Sequence, residues 1–262
     1  MTPLFDTHAH FFDEKFSALP GGAEALLREL FAGDVGYILN CATTTRDSEA
    51  VLALAKKFEG CYAAVGMHPE NCGEEESLEA GMARLRELIK RPKVVAIGEI
   101  GLDYYWEQNP PREVQKVFFE AQLKLAREVG LPVVIHDREA HGDTFEILAR
   151  YPDVVAILHS YSGSPEMARQ YLRNPNRYIS FSGVLTYKNA VATVETAKIV
   201  PCDRMLTETD CPYLAPVPYR GKINHSGYMI KTIERLSEIK GLEVEKTIEI
   251  LTENAKKLFN IL

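Results

Sequence analysis

Long apolar runs are missing from this chain of 262 residues, and no segment approaches the length that spans a lipid bilayer. The first residues also lack the basic stretch followed by an apolar run that marks a secretory signal. Five cysteines are present, but no two of them form a Cys-X-X-Cys pair. We therefore expect a cytoplasmic protein with free thiols and no membrane partner, and by default a monomer.

Positive charge is also in short supply, because 30 lysines and arginines face 37 aspartates and glutamates and leave a net charge of -7. This balance argues against a protein that coats itself in nucleic acid by bulk electrostatics. It does not exclude a nuclease, since bound divalent cations and a few arginines make a positive pocket in an acidic molecule. The chain has no Gly-X-Gly-X-X-Gly turn after its first apolar run and no phosphate-binding P-loop, so a dinucleotide-binding sheet is disfavoured.

What the sequence does contain is a regular alternation of short apolar runs and amphipathic stretches. The runs are nearly all apolar, as in parallel strands that are covered on both faces, and they span residues 4–6, 36–40, 62–66, 94–97, 133–135, 155–158, 178–181 and 205–207. Helical patterns fill the intervals, for example at 48–60 and 113–130, and the segments 226–240 and 243–262 close the chain. The alternation predicts an α/β fold, a single-domain (β/α)8 TIM barrel over residues 1–262, with a doubly wound open sheet as the alternative.

Histidines and carboxylates recur at the points where the predicted strands end. Side chains at i and i+2 of a strand point to the same face, so His8 and His10 can reach one point. The carboxyl ends of barrel strands meet at one mouth, and six such residues belong to it: His8, His10, Glu99, His136, His159 and Asp210. Each alone is readily explained as a hydrogen-bonded core histidine or a capping carboxylate, but their joint occurrence favours a metal site.

The ligand types indicate which ions and which chemistry to expect. Imidazole and carboxylate without thiolate suit Zn²⁺, Mn²⁺, iron or Mg²⁺. Six ligands exceed the need of one open catalytic zinc, so we predict two divalent ions, with Glu99 able to bridge them. Two ions roughly 3.5–4 Å apart activate water for hydrolysis. The expected reaction is metal-assisted hydrolysis.

Several longer motifs surround these residues and carry a family resemblance. They are His8-Ala9-His10, Gly66-Met67-His68-Pro69, Gly98-Glu99-Ile100-Gly101-Leu102-Asp103, and the run from Glu208-Thr209-Asp210-Cys211-Pro212 to Pro216, followed by Arg220-Gly221-Lys222. In this order they resemble the TatD family of metal-dependent deoxyribonucleases, within the amidohydrolase-type metal-dependent hydrolases. The resemblance covers nearly the whole chain.

The resemblance implies a distinct role for each residue of the site. His8, His10, Glu99 and Asp210 would hold one ion, while Glu99, His136 and His159 would hold the second. Asp210 would also orient or deprotonate the attacking water, as a carboxylate within hydrogen-bond reach can do. We place His68 too far round the barrel for a certain ligand and assign it to phosphate contact or leaving-group stabilisation.

The substrate implied by the resemblance is DNA, digested from the 3′ end of single strands, with RNA as a further possibility. Candidate phosphate contacts are Arg112, Arg138, Arg220 and Lys222, and candidate stacking surfaces are Tyr104, Tyr105 and Trp106. Solvated surface charge and helix packing are the structural alternatives for these residues. Two departures from the family pattern stand out: Asp137, a potential hydrogen-bond acceptor for His136, and His225-Ser226 in place of Glu-Pro.

Two other functions remain open at this level. The same metal centre suits hydrolysis of a small lactone, amide or phosphoester, or of a D-aminoacyl-tRNA ester. A metal-binding barrel that acts as a scaffold without catalysis is the third hypothesis.

Overall fold

The structure, a computed structural model, describes residues 2–73 and 77–261, and its strands there form one sheet in the order β1 to β8. The strands are β1 (Leu4–Ala9), β2 (Val35–Cys41), β3 (Cys61–Val65), β4 (Val94–Asp103), β5 (Val133–Arg138), β6 (Ala156–Leu158), β7 (Arg177–Phe181) and β8 (Met205–Thr207). All seven neighbouring pairs are parallel, and a parallel bridge between Ala9 and Cys211 joins the last strand's exit to the first strand. The predicted TIM barrel is confirmed.

Helices lie between the strands and after the last one. Within the described residues they are α1 (Gly22–Ala32), α2 (Thr45–Lys57), α3 (Leu78–Leu88), α4 (Arg112–Val129), α5 (His141–Ala149), α6 (Pro165–Tyr171), α7 (Val191–Ile199), α8 (Met229–Lys240) and α9 (Val244–Leu258). A 3-10 turn, Ser226–Tyr228, precedes α8. The last helix stops at Leu258, short of its predicted end, and Leu262 lies outside the described residues.

The helix boundaries follow from local capping. Helix α2 begins three residues before its predicted start because the Thr44 hydroxyl accepts a hydrogen bond from the Asp47 amide at 2.9 Å. Helix α4 closes on Gly130, whose φ of 72° is the left-handed conformation that glycine adopts without a Cβ penalty. The sequence pattern placed Gly130 correctly.

Strand β4 runs six residues beyond its predicted end at Ile97, because two glycines allow it to lie tightly against β5. A Cβ on Gly98 would stand 2.8 Å from the Cβ of Val134, and one on Gly101 would stand 2.0 Å from the carbonyl oxygen of His136. Glu99 therefore lies on the strand rather than after it, and the rigid sheet holds its side chain in position.

The core has two layers, one inside the barrel and one between strands and helices. The inner cluster takes side chains from seven strands and is closed at one end by residues of α9 and of the segment after it. It contains Phe5, Leu39, Cys41, Ala64, Ala96, Val134, Ile157, Leu206, Ala255, Phe259 and Ile261. The rings of Phe5 and Phe259 lie 5.8 Å apart. This apolar plug fills one end of the barrel and leaves polar side chains to the other. No described helix has the length and apolar character needed to cross a membrane.

Candidate metal centre

Four donor atoms meet at the carboxyl ends of β1, β4 and β8. The Nε2 atoms of His8 and His10 lie 3.0 Å apart, which confirms that the two rings share a face. His8 Nε2 is 3.2 Å from Glu99 Oε2, and His10 Nε2 is 3.2 Å from Asp210 Oδ1. The two remaining cross-distances in this group are both 3.6 Å. Ligands bonded to one Zn²⁺ or Mg²⁺ at about 2.1 Å stand roughly 3.0–3.4 Å from each other, so the spacing of these histidine nitrogens and carboxylate oxygens is close to that of ligands around one ion. The ligand atoms of His8, His10 and Asp210 all lie within 4.8 Å of one another.

A second group of three donor atoms surrounds the other oxygen of the same glutamate. His136 Nδ1 and His159 Nε2 lie 2.7 and 2.9 Å from Glu99 Oε1, and 3.3 Å from each other. One oxygen of Glu99 therefore faces each group, as a bridging carboxylate requires. The structure brings the six predicted ligands together, and their occupation by two ions remains a prediction.

A buried hydrogen-bond network holds β1 against the segment after β8. Asp6 is fully buried and accepts hydrogen bonds from the Thr209 amide (2.9 Å), the Thr209 hydroxyl (2.6 Å) and the Ser226 hydroxyl (2.7 Å). Burial raises the pKa of Asp6 to about 7, against these hydrogen bonds, which lower it. Asp210 follows with a φ of 56°, a left-handed conformation that aspartate tolerates. Ser226, in one of the two departures from the family pattern, thus helps to hold Asp6 in place.

The histidine tautomers are set by acceptors behind the rings. His10 Nδ1 faces the Cys41 carbonyl oxygen at 2.8 Å, His159 Nδ1 faces Glu208 at 3.1 Å, and His136 Nε2 faces Asp103 at 3.0 Å. A carbonyl or carboxylate only accepts, so the ring nitrogen facing it carries the proton. When an ion displaces the second proton of a ring, the opposite nitrogen would turn its lone pair toward the cluster, which is the form a metal ligand needs.

His68 shows the reverse arrangement. It precedes the turn Pro69–Asn71, and the Glu70 amide donates to its Nδ1 at 3.2 Å. Because that lone pair is used, the neutral ring carries its proton on Nε2, which points into the cluster 3.5 Å from Glu99 Oε1. The side chain is therefore much closer to the centre than the sequence suggested, and with Glu99 and His136 it forms a group of donor atoms that could hold an ion. The hydrogen bond from the Glu70 amide favours the tautomer in which Nε2 is a hydrogen-bond donor.

The charge balance of the cluster favours cations. Burial raises the pKa of Glu99, but the neighbouring His159, His8 and His68 outweigh it and hold that pKa well below its ordinary value. Burial lowers the pKa of His136, yet its hydrogen bonds to Asp103 and Glu99 prevail and raise it to about 9. Burial lowers the pKa of His8 and His68 in the same cluster, so those rings favour the neutral form. A divalent ion bound beside Glu99 would displace the protons that the other histidines hold.

A cavity of about 520 Å³ opens above the cluster. Besides the metal cluster, its lining includes Phe12, Asp13, Thr43, His68, Glu70, Asn71, Trp106, Arg138, Tyr213 and Leu214. We call Asp13, Glu70, Trp106, Arg138 and the adjoining Tyr105 the rim of the cavity. Arg138 is the sole lysine or arginine among the described lining residues, and its guanidinium stacks 3.9 Å from the ring centre of Tyr105. Trp106, 5.2 Å from the same guanidinium, is 42% exposed.

The other predicted substrate contacts lie away from the cavity lining. Arg220 stacks over Tyr187 at 3.9 Å, and Lys222 lies 5.6 Å from the ring centre of Tyr219. Tyr104 donates to Asp143 at 2.7 Å and is covered by the guanidinium of Arg112. Their contact with substrate stays a prediction.

Some neighbours of the site were not identified from the sequence. Asp137 does not face His136 but pairs with His141 at 2.9 Å, and Asp103 takes the expected place behind His136. Asp103 and Glu208 each belong to a motif that the resemblance rests on, yet no role was given to either. Their position beside Glu99 and Asp210 in those motifs was the available signal.

A TIM barrel that gathers histidines and carboxylates at its mouth defines a metal-dependent hydrolase. The sequence profile of the TatD related DNases matches residues 5–260, and the chain belongs to this family. It is 39% identical over 260 residues to the "Uncharacterized metal-dependent hydrolase YabD" of Bacillus subtilis, covering 98% of this chain and 99% of that protein.

Two further proteins support the assignment. YcfH of Escherichia coli K12, also named a metal-dependent hydrolase, is 35% identical, with 98% of this chain and 96% of that protein covered. The crystal structure of the TatD homologue YJJV from Escherichia coli K12 superposes with a TM-score of 0.90 at 32% identity, covering 99% of this chain and 98% of that one.

Proposed function

We propose that this TatD-family hydrolase is a deoxyribonuclease that removes nucleotides from the 3′ end of single-stranded DNA, with RNA as a further substrate. The observation that carries the proposal is the placement of Arg138, stacked on Tyr105 beside the exposed ring of Trp106, at the rim of the cavity above the metal cluster. A guanidinium suits a phosphate, and an exposed indole suits an unpaired base.

The residues of the cluster fit a pair of divalent ions, held as the resemblance implies: one by His8, His10, Glu99 and Asp210, the other by Glu99, His136 and His159. When bound, Mg²⁺, Mn²⁺ or Zn²⁺ would polarise the phosphoryl oxygens and activate water. Glu99 would fix the spacing of the two positions through its two oxygens. Asp210, whose Oδ1 lies at the cluster and which lines the open cavity, would accept the proton of the attacking water.

His68 has a separate task in this proposal. Its Nε2 points into the cluster, and the hydrogen bond from the Glu70 amide to Nδ1 favours the tautomer with the proton on Nε2. It would donate a hydrogen bond to a phosphate oxygen or to the leaving oxygen, where negative charge grows during cleavage. A hydrogen-bond donor beside the ions adds charge stabilisation without occupying a coordination position.

The alternative is hydrolysis of a small lactone, amide or phosphoester, or of a D-aminoacyl-tRNA ester. Two rim carboxylates, Asp13 and Glu70, favour it because they line the same cavity and oppose a polyanion in the absence of ions. A cavity of about 520 Å³ also suits a compact ligand.

Digestion of single-stranded DNA labelled at the 5′ end separates these functions. Metal-free protein is reconstituted with Mg²⁺, Mn²⁺ or Zn²⁺, and a ladder shortened stepwise from the 3′ end is expected. A phosphorothioate at the last 3′ linkage should delay the ladder, and His8→Ala should abolish it. The proposal fails if the reconstituted protein leaves DNA intact while it hydrolyses a lactone, an aryl ester or D-aminoacyl-tRNA.

A further inference from the structure

The two halves of the metal centre differ in what stands behind their histidines. In the first half, His10 Nδ1 faces a neutral carbonyl oxygen and His8 Nδ1 has no hydrogen-bond partner among the described residues. In the second half, His136 is backed by Asp103 and His159 by Glu208. Buried carboxylates thus support one pair of histidines and not the other.

Asp103 is held in place independently of any ion. It is fully buried at the end of β4, where its amide donates to the Gln115 side-chain oxygen at 2.9 Å. Its Oδ1 accepts the Tyr105 amide at 2.9 Å, which leaves Oδ2 for His136 Nε2. Both oxygens are therefore committed, and the carboxylate has one orientation.

Glu208 is fully buried and only half satisfied. Its Oε1 faces His159 Nδ1, while Oε2 has no hydrogen-bond partner among the described residues. An unpaired oxygen on a buried carboxylate is costly, so its retention calls for a compensating charge. A cation on the far side of the His159 ring supplies that compensation through the imidazole.

We infer that Asp103 and Glu208 are positioning residues that selectively strengthen binding of the ion held by Glu99, His136 and His159. This inference rests on the two-ion centre of the proposed function. A carboxylate that accepts the imidazole N–H fixes the tautomer and makes the opposite nitrogen a better donor to the metal, an effect of about 10–100-fold in affinity. The ion held by His8, His10 and Asp210 lacks this support and depends on neither residue.

Titration of metal-free protein with Mn²⁺ and Zn²⁺ tests the inference without any substrate. Calorimetry and elemental analysis should find two equivalents in the wild type. Asp103→Asn and Glu208→Gln should each keep one ion at the wild-type Kd and bind the other about 10–100-fold more weakly. Asp137→Asn is the matched control, since Asp137 neighbours His136 in sequence but pairs with His141, and it should bind both ions normally.

A spectroscopic readout separates positioning from general loosening of the fold. In Asp103→Asn the Tyr105 amide claims the one remaining oxygen, so the amide NH2 faces His136 Nε2 and favours the tautomer protonated on Nδ1. Long-range ¹H–¹⁵N spectra of the metal-free wild type and variant, recorded above the pKa of about 9 of His136 so that the ring is neutral, should show that switch for His136 alone. Because this spectrum needs only Asp103→Asn, it decides the question even where Glu208→Gln fails to fold.

The possible failures are distinguishable. Fewer than two ions in the wild type would refute the two-ion centre, and the inference with it. Two ions in the wild type, with unchanged affinities in both variants or an unchanged His136 tautomer, would refute the inference alone.

Discussion

The metal cluster and the rim of the same cavity are constructed in different ways. In the cluster, His10, His136 and His159 are each fixed from behind by a partner that is itself buried or part of the backbone. At the rim, Tyr105 and Trp106 are 51% and 42% exposed, and Arg138 stacks on them with no ion pair to a described carboxylate.

This difference separates two properties that variants can change independently. Ligand geometry within the cluster is determined by the sheet, so a substitution there should act on ion binding or on the chemical step. The rim is an exposed stack of side chains, so a substitution there should act on substrate affinity and leave the ions in place. A cluster variant that changed only substrate affinity, or a rim variant that lost an ion, would contradict this comparison.

The largest effect is expected from Asp210→Asn. Asparagine also tolerates the left-handed backbone at this position (φ 56°), so the fold is preserved while the negative charge and the proton acceptor are lost. We expect kcat on single-stranded DNA to fall about 10³-fold, within the range for loss of a general base. Asp13→Asn, in the wall of the same cavity, is the control and should stay within a few-fold of wild type. A variant with a tenth of wild-type kcat would contradict the assigned role.

His68 gives the next largest effect and tests the tautomer argument. His68→Phe keeps a ring but removes the inward N–H, so kcat should fall about 10²-fold, as for the loss of one donor to a developing oxyanion. His68→Gln retains an N–H donor and should recover part of the rate. If His68 acts only as a hydrogen-bond donor, elemental analysis should find both ions in each variant. Loss of one ion in His68→Phe would show that the ring does coordinate.

The sequence was sufficient for the cluster because most ligands lie within three residues of the end of a strand, and the barrel topology then brings those ends together. Glu99 shows the limit of that reasoning, since the glycines around it extended β4 in a way that apolar patterning does not register. His68 shows another limit. Its distance from Glu99 and the direction of its N–H depend on the amide of Glu70 in a three-residue turn. The first of these depends on tertiary packing and the second on the local geometry of the turn, and the apolar periodicity of the chain encodes neither.

Removal of the ions should lower the Tm of the protein. An ion present at a hundred times its Kd stabilises the folded state by about 2.7 kcal/mol for each site. For a chain of this size that free energy corresponds to a drop in Tm of roughly 5–10 °C for each ion removed by the chelator. Scanning calorimetry with and without chelator measures the shift. His10→Ala removes a ligand of one ion and should show about half of the wild-type shift, and a chelator shift of wild-type size in that variant would contradict its place as a ligand.

The rim should produce the smallest effects and a different signature. Trp106→Ala should raise KM for single-stranded DNA about tenfold at unchanged kcat, in the range for loss of one base-stacking contact. Arg138→Ala should raise KM similarly and reduce the slope of log KM against log salt by about 0.7, the value for one phosphate contact on a single strand.

Arg220→Ala is the matched control for Arg138→Ala, because both guanidiniums stack on a tyrosine ring at 3.9 Å but only Arg138 lines the cavity. We expect less than a twofold change in KM and an unchanged salt slope for Arg220→Ala. Equal effects of the two substitutions would mean that DNA is attracted by the general field of exposed arginines. The rim would then influence substrate choice no more than the rest of the surface does. The rim and the cluster would differ only in how deeply their side chains are buried.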